Sequence, residues 1–194
     1  MIKREDFNGK KYEEMAAALQ ADLVVYAEQV AKFTTLDECT AEEQVLMASM
    51  DEVQEKLNTV EYELPKDVQY DGKRHSKKDV AAKVVYFLNK IECKWEQTLG
   101  LYQLVNLWKR EDFEQIPYRV YDSTLRCLNS VSFKGLSEWT DILVVNEYLS
   151  QCHNEYSLDT GMLVYLSEMH NLVMNRMKEL EPKDETIPED MKTE

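Results

Sequence analysis

The sequence predicts an all-α protein, a compact bundle of about six helices around a long central one. Three observations carry that expectation. Only five glycines and four prolines occur in 194 residues, while leucine, glutamate, lysine, alanine and methionine, all good helix formers, are plentiful. Apolar residues recur at steps of three or four along most of the chain, the spacing that lays side chains on one helical face. The stretch from Ser76 to Arg110 is unbroken by proline, and Val80, Val84, Phe87, Ile91, Trp95, Leu99, Tyr102, Val105 and Trp108 keep that spacing throughout. Read as the central helix (76–110), it spans about 50 Å. Between Leu99 and Trp108 only Gln103 and Asn106 are polar, so that half is expected to be covered on more than one side.

The remaining elements follow in order. Residues 10–33 carry Met15, Leu19, Leu23, Tyr26, Val30 and Phe33 on one face, with Glu13, Glu14, Asp22 and Glu28 largely off it, an amphipathic helix. Thr34 to Cys39 makes a connection, and Thr40-Ala41-Glu42-Glu43 fits a capping box for a second helix running to about residue 63. Its stripe of Leu46, Met50, Val53, Leu57, Val60 and Leu64 suits a coiled-coil-like hairpin with the first helix. Pro65 stops it. Asp71-Gly72 suits a tight turn, so a small hairpin over Val68 to His75, or an ordered loop, is expected within 65–75. Ser76 and Asp79 form a capping pair at the head of the central helix.

Beyond a charged junction at 111–116, Pro117 fits the first turn of a helix with the stripe Tyr118, Tyr121, Leu125 and Leu128. Gly135 precedes a helix holding Leu136, Trp139, Ile142, Leu143 and Leu149 and ending near Cys152. Asp159 is then expected to cap a last helix carrying Met162, Leu166, Met169, Val173, Met177 and Leu180, which Pro182 ends. Residues 181–194, acidic and with two prolines, predict a flexible tail.

A chain of this length suits a single helical domain over 1–180. A division into two three-helix halves, 1–108 and 109–180, is suggested by an internal echo: Lys3-Arg4-Glu5-Asp6-Phe7 recurs as Lys109-Arg110-Glu111-Asp112-Phe113, and the same offset of 106 relates Tyr12 to Tyr118 and Leu19 to Leu125. Beyond those positions the halves diverge, and true repeats persist over a whole supersecondary unit.

Charge narrows the classes of partner. A formal net charge of −14 repels a polyanion, so direct nucleic-acid binding is not expected. The four cysteines, Cys39, Cys93, Cys127 and Cys152, stand singly, which suggests reduced thiols in a cell interior. No apolar run is long enough for a membrane span, and the opening stretch lacks the apolar core of a signal peptide. A cytoplasmic location in the producing or host cell is expected.

Chemistry-bearing motifs are few. Asp159-Thr160-Gly161 matches the aspartic-protease tripeptide, but its helical context favours a cap. The Glu-x-x-His pairs of di-metal bundles are missing, and Cys152, His153 and His170 supply too few ligands for a closed zinc site. Neither a nucleophile elbow nor a phosphate loop occurs. The expected protein is therefore not an enzyme and needs no cofactor or metal.

What the sequence does offer is asymmetry. Residues 65–136 hold thirteen Lys+Arg against nine Asp+Glu, whereas the segments before and after are strongly acidic. Lys73, Arg74, Lys77, Lys78 and Lys83 form the candidate partner-binding basic patch. A solvated face pairing with Glu92 and Glu96 is one reading. Docking on an acidic protein, or on the acidic flank of another copy, is the other. Glu42, Glu43, Asp51, Glu52 and Glu55 form the candidate acidic surface. The function expected is a non-enzymatic interaction or assembly subunit of a larger complex or homo-oligomer, such as a viral or phage particle. The alternative is an acidic inhibitor that mimics nucleic acid in the groove of a nucleic-acid-processing enzyme.

Overall fold

A computed structural model describes residues 2–181. The tail expected at 181–194 lies, apart from Glu181, outside the described residues. Six α-helices dominate, joined by two small antiparallel sheets, one of them the hairpin expected within 65–75 and the other not expected. After a short 3₁₀ turn at Arg4–Phe7, the helices are α1 (Tyr12–Val30), α2 (Leu36–Leu57), α3 (Lys77–Leu88), α4 (Trp95–Trp108), α5 (Tyr118–Asn129) and α6 (Gly135–Leu180). The strands are β1 (Glu61–Glu63), β2 (Asp67–Tyr70), β3 (Lys73–Ser76) and β4 (Gln115–Pro117). Among the described residues, no helix is long and apolar enough to cross a membrane.

α1 buries Met15, Leu19, Tyr26 and Val30 from the expected stripe. α2 starts one turn earlier than the Thr40 box implies. Thr35 and Glu38 have the same spacing, and the Glu38 carboxylate accepts from the Thr34 and Thr35 amides while the Thr35 hydroxyl accepts from the Glu38 amide. Using the upstream box lets Cys39 in the first turn be buried completely. α2 also ends early, at Leu57. Tyr62, buried between exposed Glu61 and Glu63, has the period of a strand. It pairs opposite Ile116 as β1 joins β4. The hairpin expected at 65–75 forms, as β2 and β3 around Asp71 and Gly72, both at positive φ, the geometry of a two-residue hairpin turn.

The long central helix is broken. α3 ends at Leu88, the chain turns through residues 89–94, and α4 returns alongside α3, since Lys78 pairs with Glu111 and the Lys77 ammonium donates to the Phe113 carbonyl just past the end of α4. Asn89, Ile91 and Cys93 are indifferent helix formers, and reversal lets α3 and α4 bury Phe87, Leu88, Leu104, Val105 and Trp108 in one cluster. A single rod would leave half of those side chains without neighbours. The cover expected on several sides of α4 is also not there: Leu104, Val105 and Trp108 are buried, but Leu99 and Tyr102 are exposed.

The two helices expected at 135–152 and 159–180 are one helix of 46 residues, about 69 Å long. Asp159 is not a cap. One of its carboxylate oxygens accepts from the Arg4 guanidinium at 2.8 Å and the other from the Tyr62 hydroxyl at 2.8 Å. Asn154 accepts from the Tyr12 amide and donates to the Lys10 carbonyl, so it serves the start of α1 rather than ending α6. Gly161 stands where α1 crosses; a Cβ there would lie 2.5 Å from Met15 Cε and 3.0 Å from Tyr12 Cε2.

α6 carries two apolar clusters. Its first half, Ile142 to Cys152, packs with β1, β2 and α3 to α5. Its second half, Leu158 to Val173, packs with Phe7, α1 and α2. Each cluster draws residues from both sides of position 108. Both copies of the five-residue echo bury their phenylalanine, Phe7 and Phe113, and lead into helices that begin at the matched tyrosines.

Two glycines in helices give opposite expectations. Gly161→Val should destabilise the fold by about 1–3 kcal/mol through overpacking against Tyr12 and Met15. Gly100→Ala, where nothing lies within 4 Å of the new Cβ, should stabilise it by about 0.5–1 kcal/mol. Urea unfolding of both variants checks the pair; equal effects would remove the close approach of α1 to α6.

Candidate functional site

The reversal between α3 and α4 builds a cleft of about 580 Å³ where the first turns of α3 meet the end of α4. Leu64, Ala81, Val85, Trp108 and Phe113 make its apolar floor, and the Trp108 and Phe113 rings meet edge to face at 5.4 Å. Trp108 is fixed from behind: its indole N–H donates to Thr124 Oγ1 at 3.0 Å, and that hydroxyl donates to the Val120 carbonyl at 2.7 Å, so the buried polar pair is satisfied. Around the rim stand Lys77, Lys78, Lys109 and Arg110; Glu111 stands against Lys78, and Asp112 takes the Arg110 guanidinium with both oxygens, at 3.0 and 2.8 Å. The Lys78–Glu111 pair at 3.4 Å is almost fully exposed, and such pairs hold little energy. Lys109 has no ion pair among the described residues.

Of the predicted basic patch, the structure brings together Lys77 and Lys78 and adds Lys109 and Arg110. Those two belong to the second copy of the echo, where the adjacent Glu111 and Asp112 hid them from a reading based on net charge. Lys73 sits exposed on β3, and Arg74 pairs with Asp67 across the hairpin. Lys83 lies on another face of α3 and pairs with Asp141 of α6. The expected pairing of this face with Glu92 and Glu96 does not form, because the break at 89–94 takes those residues away; Lys90 pairs with Glu138 at 2.6 Å instead.

The acidic residues divide similarly. Glu42 turns inward and accepts from the Tyr26 hydroxyl at 2.8 Å, and Glu43 lies 3.6 Å from His170 Nε2. Asp51, Glu52 and Glu55 face solvent, with Glu52 paired to Lys56 at 3.1 Å.

A larger cleft of about 990 Å³ opens between the N-terminal segment, the end of α2 and the middle of α6. Its floor holds the Arg4–Asp159–Tyr62 network. Burial, and then the Asp159 carboxylate, push the Tyr62 hydroxyl well above its ordinary range. Burial raises the Cys152 thiol to about 11, and the thiol faces the Glu63 carbonyl at 3.2 Å. At neutral pH these are a protonated phenol, a protonated thiol and a carboxylate already taken by two donors, an arrangement that ties the N-terminal segment to α6. The soft ligands weighed from sequence do not converge, since His170 is seventeen residues further along the same helix than His153. The chain matches no protein-family model, no curated protein and no solved structure.

The Lys90–Glu138 contact carries a pH dependence. The Lys90 ammonium, then the Tyr86 hydroxyl and the Lys134 amide, hold the Glu138 carboxyl down to about 2 from an ordinary 4.5. A depressed folded-state value means that the contribution is complete above pH 4.5 and is lost as pH falls through about 2. Glu138→Gln should therefore lower stability at pH 7 and flatten its decline across that acid range, measured by urea unfolding at successive pH values. An unchanged decline would show that Glu138 is not the group being titrated.

Proposed function

We propose that the protein is a non-enzymatic interaction and assembly subunit whose α3–α4 cleft takes an acidic segment that also carries apolar side chains. The observation that supports this reading most is the pairing of an apolar floor with four rim cations in a chain whose net charge is −14. Cations concentrated against an acidic background steer an acidic segment toward the cleft, and the floor rewards an apolar side chain once it arrives.

The chain itself contains one such segment. Residues 181–194 place Ile187 and Met191 among carboxylates. That segment suits the cleft of another copy rather than its own. Tyr148 donates to the Pro65 carbonyl beside the cleft, so the cleft lies near residue 148 of α6, about 48 Å of helix before Leu180. Met191, eleven residues beyond Leu180, reaches at most about 40 Å. A head-to-tail arrangement of this kind is heterologous and builds rings or filaments.

The head-to-tail assembly through the cleft should form at low ionic strength and come apart as salt rises through the range where the Debye length shrinks to a few ångströms. Reversing Lys78 and Lys109 to glutamate should weaken binding of a synthetic 181–194 peptide by about tenfold or more, read from the fluorescence anisotropy of a dye-labelled peptide. Peptide affinity that is indifferent to both reversals would place the acidic segment elsewhere; a peptide that does not bind, while other acidic peptides do, would leave the cleft and change its occupant.

A further inference from the structure

The α4 residues expected to be core form the most exposed apolar surface among the described residues. Trp95 is 87% exposed, Leu99 66% and Tyr102 63%, and their spacing of four and three places them on one face. A second strip lies at the same end of the molecule, where Leu136 is 85% and Trp139 54% exposed. The two are linked through the 89–94 turn that leads into α4. Lys90 in that turn pairs with Glu138, one residue from Trp139, and the Phe133 ring bridges Phe87 of α3 and Trp139.

Taking about 150–250 Å² for a full aromatic side chain, these five residues leave on the order of 700 Å² of side chain in water. Spread over the two strips, that approaches the roughly 800 Å² each partner contributes to a standard interface. α4 is also nearly free of charge: Glu96 is the single Asp, Glu, Lys, Arg or His among its fourteen residues.

We propose that this face is a two-fold interface between copies of the chain. Antiparallel packing of α4 on the α4 of a second copy sets Leu99 near the axis and brings Trp95 of each copy toward Tyr102 of the other. An uncharged face is self-complementary without any matching of sign, as an isologous contact requires. A lipid surface fits less well, because Glu138 and Asp141 are paired with Lys90 and Lys83, and Glu92 and Glu96 are matched in number by Lys94 and Lys134, so the surroundings carry no net positive charge to draw anionic headgroups. The contact is independent of the basic cleft, and its response to salt is the opposite: screening leaves apolar association intact.

Sedimentation of the full chain across a concentration series, at low salt and at 1 M salt, tests the proposal. A dimer should persist at high salt, and Leu99→Glu or Trp95→Glu, each at an exposed position with nothing to unfold, should raise its dissociation constant at least about tenfold while circular dichroism stays that of the wild type. Reversal of Lys78 and Lys109 should leave this dimer unchanged. A wild-type monomer at every concentration in high salt would overturn the proposal, as would a dimer that both glutamate variants form equally well. Phosphatidylcholine vesicles that bind the monomer and lose it on Leu99→Glu would assign the face to lipid instead.

Discussion

Everything in this fold hangs on α6 running without a break through residues 153–160. That octad contains Asn154, Ser157, Asp159, Thr160 and their neighbours, side chains that compete for backbone hydrogen bonds and favour helix ends. Three of the four are given other work. Asn154 caps the start of α1, Asp159 holds Arg4 and Tyr62, and Thr160 donates back to the Tyr156 carbonyl within the helix. With those groups occupied, the backbone keeps its own ladder, and one helix lies across two apolar clusters that share no other long element. The tyrosines Tyr62, Tyr118, Tyr121 and Tyr156 fill the seam, their rings meeting at 5.0–6.4 Å. Tyr156 also donates to Asp122, tying α5 to the same level.

The α3–α4 reversal is the second constraint, and both candidate surfaces follow from it. By turning at 89–94, the chain brings Lys109 and Arg110 back beside Lys77 and Lys78, residues separated by more than thirty positions. The same turn withdraws the first half of α4 from the core. α4 buries only the side that faces α3 and α5, so the apolar side chains at the other side of its first turns have no neighbour within the chain. A straight helix would have hidden the aromatics and scattered the cations.

What could be read in the sequence was local. The Ser76–Asp79 cap, the Asp71-Gly72 turn, the α1 stripe and the start of α5 after Pro117 are each fixed by two or three adjacent residues, and each occurs where expected. What could not be read depended on partners far along the chain. Asp159 and Gly161 look like a helix start unless Arg4, Tyr62 and Met15 are known to lie against them. Ile91 and Trp95 keep helical spacing by coincidence, since spacing alone cannot tell a face that meets a neighbour from one that does not. β1 and β4 are three residues each, too short for alternation to register until they pair. For the basic patch, sequence located Lys77 and Lys78, but membership of Lys109 and Arg110 is a property of the turn, not of any motif.

The two surfaces also differ in the physics that would make them work, and this constrains how they combine. A chain of net charge −14 resists bringing copies together through long-range repulsion, so association at low salt needs either local charge reversal or a contact strong enough to ignore the background. The cleft supplies the first, because its rim presents cations where the rest of the chain is acidic. The α4 face supplies the second, since its gain scales with apolar area and grows relatively as salt screens the repulsion. They lie at opposite ends of the same α3–α4 hairpin, the cleft at the start of α3 and the aromatics at the start of α4. A segment seated in the cleft therefore leaves the aromatic face open, and the two proposed contacts, with opposite dependence on ionic strength, would let the hairpin join two neighbours at once.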